Sequence, residues 1–121
     1  MSRKPEFRVI ETRLLSNPEA LKLLSKAHSR IMEKEASAPF MIVKTLDYLK
    51  KFSKIDPDKA EEIRNILENY GLREESIVML MNICPRNVDE ARILLEYEER
   101  FIETKVVEEI VDKLKQYCRE T

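Results

Sequence analysis

Residues 56–71 read DPDKAEEIRNILENYG and contain the start, the buried face and the end of one helix. Asp56 is a preferred capping residue, and Pro57 stands where a first helical turn accepts proline. Gly71 stands where a left-handed residue ends a helix. The apolar residues between these signals recur at helical spacing: Ala60, Ile63, Ile66, Leu67 and Tyr70. The stretch therefore predicts an amphipathic helix with one buried face.

The chain before residue 56 carries the signals of two more helices. Residues 16–19, Ser-Asn-Pro-Glu, begin the first, and residues 37–39, Ser-Ala-Pro, break it because proline has no amide hydrogen and restricts the residue before it. The apolar positions of the first helix are Leu21, Leu24, Ala27 and Ile31. Those of the second, which we assign to the core, are Ile42, Leu46, Leu49 and Phe52.

Three helices are predicted after residue 71, at about residues 74–84, 88–95 and 104–117. Pro85 stops the first of them, and residues 87–90 resemble the capping box of the second. Their apolar positions are Ile77, Val78, Leu80, Met81, Ile83, Val88, Ala91, Leu94, Leu95, Val107, Ile110, Leu114 and Tyr117.

These signals predict an all-α fold in which five helices after residue 36 form a compact bundle. The chain contains one glycine, and a sheet-rich domain needs several for its turns. We predict two regions: residues 1–36, with one strand and one helix that bind a partner, and residues 37–121, the helical domain.

Residues 7–15 differ from the rest because they read FRVIETRLL and lack a helical stripe. Their β-branched and aromatic content predicts a strand. An unpaired strand leaves backbone amide and carbonyl groups without partners. Residues 41–43 and 101–107 are internal candidates for pairing, but both run into helical patterns. We therefore expect strand addition to the sheet edge of a second polypeptide, with a disordered tail as the alternative.

The charge balance excludes a surface that attracts polyanions as a whole. The chain has 22 Lys and Arg against 23 Asp and Glu, a net charge of -1. No segment approaches the roughly 20 apolar residues of a membrane span, and residues 1–11 lack the apolar core of a secretory signal. We expect a cytoplasmic protein without membrane contact. The high charged fraction, 37%, is typical of proteins that work at high temperature.

Few residues are able to carry chemistry. His28 lies at the edge of a predicted buried face without a neighbouring cysteine, and a single glycine does not form a phosphate-binding loop. Asp56 and Asp58 fit a helix start better than a calcium loop. Cys84 and Cys118 form no CxxC pair, and we expect each to be a small buried apolar side chain. We predict no enzyme active site, metal, cofactor or small-molecule substrate.

One basic cluster, Lys44, Lys50, Lys51 and Lys54, is a local candidate for nucleic-acid contact. Lys50 and Lys54 lie one helical turn apart, a spacing that suits contact with successive phosphates. Because Phe52 is assigned to the core, we expect its ring to be inaccessible for stacking with bases. The cluster is either a nucleic-acid contact or an ordinary solvated face, and we favour the second.

Several motifs in order resemble the family of the F subunit of archaeal DNA-directed RNA polymerase. They are TLDYLKKFSK at residues 45–54, DP at 56–57, KAEE at 59–62, GL at 71–72, ICP at 83–85 and VDEARIL at 88–94. The resemblance covers about residues 45–117. The N-terminal third is similar in kind alone, as a strand-like stretch followed by a helix.

The resemblance implies a helical domain of the HRDC-like type and an N-terminal region that docks on the polymerase's E subunit, here called the stalk partner. The resemblance also implies that the chain and the stalk partner form a heterodimer. This heterodimer is the stalk that projects from the polymerase core, and the chain is connected to the core through the stalk partner. The stalk assists promoter opening, recruits initiation factors and guides nascent RNA, with much of the RNA contact made by the stalk partner. We expect these residues to bind it: Phe7, Val9, Ile10, Leu14, Leu15, Leu21 and Leu24. The alternative is a free-standing HRDC-type nucleic-acid-binding module that works through the basic cluster.

Overall fold

Six α-helices make up most of residues 13–119, which are the residues that the computed structural model describes. They are α1 (Asn17–Lys34), α2 (Phe40–Phe52), α3 (Ala60–Glu68), α4 (Glu74–Ile83), α5 (Val88–Leu94) and α6 (Thr104–Lys115). A short 3-10 helix, Pro57–Lys59, leads into α3. Within residues 13–119 the backbone forms no strand, and one isolated bridge joins Ile55 to Cys118. The all-α fold is confirmed.

Local hydrogen bonds explain where the helices begin. A carboxylate oxygen of Asp56 accepts from the amide two residues later at 2.9 Å and caps the turn before α3. At the start of α1, the Glu19 carboxylate accepts from the amide and the hydroxyl of Ser16, at 3.1 and 2.8 Å. The amide oxygen of Asn87 accepts from the amide of Glu90 at 2.9 Å, at the start of α5. These predicted starts are confirmed.

Two residues with positive φ mark where helical segments end. Gly71 follows α3 with a φ of 73°, the left-handed conformation that glycine adopts without strain. Cys84 follows α4 with a φ of 54°, and its amide donates to the carbonyl of Leu80 at 2.9 Å. Pro85 comes next and does not continue the helix. The glycine and proline signals of the sequence are confirmed.

The main hydrophobic core lies between α3, α4, α5 and α6. Ile63 and Leu67 of α3, Leu80 of α4, and Ile110 and Leu114 of α6 are each 0% exposed. Every residue of this cluster lies between residues 55 and 118, so the second half of the chain builds its own core. Burial of apolar area is the dominant stabilising term of such a core. Most of the apolar positions predicted for the last three helices are buried, but Val78, Val88 and Tyr117 are partly buried and Ile83 is 41% exposed.

A second, smaller cluster joins α1 to α2 and consists of the buried side chains of Leu21, Leu46 and Leu49. Periodicity assigns Phe52 to the same stripe, and this assignment is wrong because Phe52 is 48% exposed. The buried face of α2 is narrow, with Leu46 and Leu49 as its buried residues, and it does not extend to Phe52. The division of the chain between residues 36 and 37 stays a prediction.

A disulfide joins Cys84 to Cys118 across a sequence separation of 34 residues. The expectation that each cysteine is a small buried apolar side chain is wrong, because the two are bonded to each other and each is partly buried. The pair is not visible in the sequence because the two residues meet through tertiary structure. Cys118 is brought to the end of α4 by its bridge to Ile55 and by the next amide, Arg119, which donates to the carbonyl of Lys54 at 2.7 Å.

Candidate partner-binding surface

A buried arginine fixes the position of the segment before α1. Arg64 of α3 is 1% exposed, and its guanidinium donates to the carbonyl of Leu14 at 2.8 Å. It also forms ion pairs with Glu19 at 2.7 Å, Glu68 at 3.1 Å and Glu74 at 3.2 Å. These hydrogen-bond partners are all acceptors, as a buried guanidinium requires. One side chain therefore holds the N-terminal segment, α1, α3 and the start of α4 together.

Glu19 is the main carboxylate of this network and is 8% exposed. Burial alone raises the pKa of Glu19, but hydrogen bonds from Ser16 and Arg64, with the Arg64 charge, hold the pKa below its ordinary value. Burial lowers the pKa of Arg64, and the hydrogen bonds to Glu19 and Glu68 raise it above its ordinary value. Both groups are therefore charged at neutral pH, and Arg13 adds an ion pair to Glu19 at 2.9 Å.

A contact from α4 also fixes the start of α1. The side-chain oxygen of Asn82 accepts from the amide of Asn17 at 2.7 Å. An amide in the first turn of a helix has no partner within the helix, so this bond satisfies a group that is otherwise unpaired. The start of α1 is thus attached to the main core at two points, Arg64 and Asn82.

This attachment places two leucines on the surface. Leu14 and Leu15 are 44% and 41% exposed, although the backbone carbonyl of Leu14 is held by Arg64. Residues 13–16 have no regular secondary structure. The strand predicted for residues 7–15 therefore has no counterpart in its described part, and Phe7, Val9 and Ile10 lie outside the described residues.

Exposed apolar side chains are concentrated in the first part of the described chain. Nine of the thirteen large hydrophobic residues that are exposed between residues 13 and 119 lie before residue 53. They are Leu14, Leu15, Leu23, Met32, Phe40, Met41, Val43, Tyr48 and Phe52, and we call them the apolar surface. Large apolar side chains that are exposed in one part of a chain are candidates for contact with another macromolecule.

Aromatic and basic side chains alternate on the outer side of α2. Phe40, Lys44, Tyr48 and Phe52 follow one another at four-residue spacing, which places neighbours on the same helix face. The Lys44 ammonium lies 5.4 Å from the centre of the Phe40 ring, and the Tyr48 and Phe52 ring centres are 4.7 Å apart. The Lys51 ammonium lies 5.5 Å from the centre of the Phe52 ring. These cations rest on aromatic faces.

The other residues that the sequence singles out lie in different surroundings. Leu21 is buried against α2 and Leu24 is partly buried beside it, so both contribute to packing within the chain. Lys50 is exposed. Lys54 lies beyond the end of α2, where its ammonium donates to the carbonyl of Ile83 at 3.0 Å. The four lysines of the basic cluster therefore do not form one site.

Sequence reasoning missed the central role of Arg64. It lies beside Ile63 on the inner face of α3 and one turn before Leu67, a position that helical periodicity assigns to the core. An arginine at a core position, followed by Glu68 four residues later, is the one feature of the sequence that indicates a buried ion pair here. The acceptors Glu19 and Leu14 are distant in sequence, so no local pattern indicates them.

Among residues 13–119, no three His, Cys, Asp or Glu side chains lie close enough together to hold a metal ion. None of the helices in this range has the length and hydropathy that a bilayer-spanning segment needs.

The chain matches the family model described as RNA polymerase Rpb4 over residues 14–118. The DNA-directed RNA polymerase subunit Rpo4 of Sulfolobus acidocaldarius is 32% identical over 95 residues, which cover 78% of this chain and 83% of that protein. Rpo4 of Methanocaldococcus jannaschii is 32% identical over 72 residues, 60% of each chain. The DNA-directed RNA polymerase II subunit 4 of Arabidopsis thaliana is 41% identical over 49 residues, 40% of this chain and 36% of that protein.

The family model matches the sequence from Leu14 to beyond the end of α6, so the chain belongs to a class of proteins, the subunits of RNA polymerase. Within this class the chain belongs to the RNA polymerase Rpb4 family. The match includes all six helices and the whole apolar surface.

Proposed function

We propose that the chain is the F subunit of an archaeal RNA polymerase and forms the stalk heterodimer with the stalk partner, the E subunit. In this role it works in the cytoplasm, reaches the polymerase core through the stalk partner and supports transcription initiation and the guidance of RNA. The family assignment supports a place in the polymerase, and the similarity to archaeal Rpo4 proteins supports the archaeal source. Docking on the stalk partner is an inference from the apolar surface.

The observation that carries this proposal is the position of the apolar surface. Its nine residues lie on the segment before α1, on α1 and on α2, whereas the main core lies entirely after residue 54. A standard protein–protein interface buries about 800 Å² on each partner, which a short segment and two helices can supply. Lys44 and Lys51, whose ammonium groups lie over the rings of Phe40 and Phe52, are suited to the polar rim of such an interface.

Leu14 and Leu15 allow a direct test of this proposal. The double variant Leu14→Ser/Leu15→Ser keeps the Leu14 carbonyl for Arg64 but removes apolar side chains from the surface. We expect its affinity for the purified stalk partner, measured by calorimetry, to fall by about tenfold or more. The matched control is Ile83→Ser/Ile93→Ser, which removes exposed aliphatic side chains elsewhere and leaves the affinity unchanged. Equal affinities of the two double variants would argue against the proposal.

A second candidate function is nucleic-acid binding by the outer side of α2. Because Phe52 is exposed and packs against Tyr48, the two rings are available for base stacking between Lys44 and Lys51. Base stacking on an aromatic side chain contributes about 1–3 kcal/mol, so Tyr48→Ala/Phe52→Ala would strongly weaken such binding. A gel shift of the isolated chain with single-stranded oligonucleotides at low salt tests it, and the absence of a complex dismisses it.

A further inference from the structure

A cavity of about 500 Å³ lies between the end of α4 and the C-terminal end of α6. Among the described residues that line it, Lys54, Lys115 and Arg119 carry cationic side chains, Arg86 also forms part of the wall, and none is acidic. The chain as a whole has a net charge of -1, so this grouping is a local feature and does not follow from composition. Cations that converge on one cavity repel each other, and an anion placed between them relieves this repulsion.

The walls of the cavity are fixed by covalent and backbone contacts. The disulfide between Cys84 and Cys118 joins the end of α4 to the segment after α6, and both cysteines line the cavity. The amide of Arg119 donates to the carbonyl of Lys54 at 2.7 Å, and this hydrogen bond fixes the segment after α2 against the segment after α6. A cavity held in this way is formed before any ligand arrives, and pre-organisation lowers the free-energy cost of binding.

The donors are also placed to reach a ligand. The Lys54 ammonium donates to the carbonyl of Ile83 at 3.0 Å, and an ammonium has three donor hydrogens, so it is held at the cavity with capacity for further acceptors. Lys115 and Arg119 are exposed at its other side. A guanidinium presents a planar fork of donors that fits the oxygens of a phosphate.

We propose that this cavity binds a phosphate group, with Lys54, Lys115 and Arg119 as its cationic contacts and Arg86 in its wall. A phosphate has several oxygens, so it is able to accept hydrogen bonds from several such donors at once. The cavity exceeds the volume of one phosphate, so the group can carry a substituent, such as the sugar of a nucleic-acid backbone. The site does not depend on the binding of the stalk partner, since none of its residues belongs to the apolar surface.

The test compares two double variants of the full chain with the same change in charge. Lys115→Gln/Arg119→Gln removes two contacts of the cavity, and Arg30→Gln/Lys105→Gln removes two exposed cations elsewhere. Ligands are inorganic phosphate and pyrophosphate, followed by calorimetry, and a fluorescent single-stranded oligonucleotide, followed by anisotropy. A hydrogen bond to a charged group contributes about 1.5–3 kcal/mol, so we expect the cavity variant to bind at least about tenfold more weakly than the wild type and the control variant.

The ligands distinguish two sources of the phosphate. Binding of inorganic phosphate or pyrophosphate that the cavity variant loses identifies a free phosphate ligand, and cavity-dependent binding of the oligonucleotide alone identifies a phosphodiester. In the wild type, amide chemical shifts on titration are expected to change first at residues 84, 86 and 119, and this measurement does not depend on how the variants fold. The proposal is overturned if no ligand binds, if both variants weaken binding equally or if the shifts change elsewhere.

Discussion

Arg64 joins the segment before α1 to the main core through one buried guanidinium. Its contacts with Glu19 and with the Leu14 carbonyl are the shortest in the network, at 2.7 and 2.8 Å. Exposed ion pairs contribute little because water screens them, whereas a buried charge that loses its partner is strongly destabilising. We therefore expect this residue to affect both stability and the placement of Leu14.

Replacing Arg64 tests that role. Arg64→Met leaves the Glu19 carboxylate buried without its main cation, and we expect the free energy of unfolding in urea to fall by about 3–5 kcal/mol. The control is Lys59→Met, which breaks an exposed ion pair with Glu62 and is expected to cost less than about 0.5 kcal/mol. Similar losses in the two variants would show that Arg64 is not the central contact. Removing both charges in Glu19→Met/Arg64→Met is expected to restore part of the loss.

Glu19 predicts how stability depends on acid pH. Its pKa is lower in the folded chain than the ordinary value of 4.5, so the folded state favours the carboxylate form. This contribution is fully present above the unfolded-state pKa and is lost as the pH falls through the lower, folded-state pKa. The stability difference between the wild type and Glu19→Gln is therefore expected to be constant near pH 6 and to shrink below pH 4.5. Urea unfolding from about pH 6 to about pH 3 measures it, and a constant difference throughout contradicts the assignment.

The helices themselves follow from local chemistry, which is why the sequence predicts them well. Asp56, Ser16 and Asn87 cap helices within a few residues of their own positions, and Gly71 adopts the conformation that its type allows. Features that depend on distant residues escape such reasoning: the acceptors of Arg64, the disulfide and the exposure of Phe52. Periodicity places Phe52 on the inner stripe of α2, but how far the neighbouring helix covers that stripe is decided by tertiary packing.

The disulfide makes a prediction about α4 and α6, whose ends it joins. A cross-link over 34 residues lowers the conformational entropy of the unfolded chain. From the loop length, the disulfide is expected to stabilise the folded state by about 3–4 kcal/mol. We expect Cys84→Ser/Cys118→Ser to lose about this amount in urea unfolding, and a reductant to lower the stability of the wild type but not of the variant. A wild type that is equally stable with and without reductant contradicts this expectation.

Across the whole molecule, stability and binding are assigned to different parts of the chain. Residues 55–118 bury the main core, while residues 14–52 carry most of the exposed large apolar side chains of the described chain. A monomeric protein rarely leaves so much apolar area in contact with water, so we expect the isolated chain to self-associate and the partner to suppress this. The sequence predicts a partner from residues 7–15, whereas the exposed apolar side chains of α2 are recognised only once the helices are in place. We expect them to contribute to partner binding.

Deletion of residues 1–15 is the most direct test of the claim that this end of the chain binds the stalk partner. The deletion keeps Ser16 and Glu19, which form the start of α1, and it leaves the main core intact. Binding to the purified stalk partner and far-ultraviolet circular dichroism are measured on the same preparation. We predict that binding is lost while the helical signal is retained. Full binding by a folded truncated chain would contradict the claim.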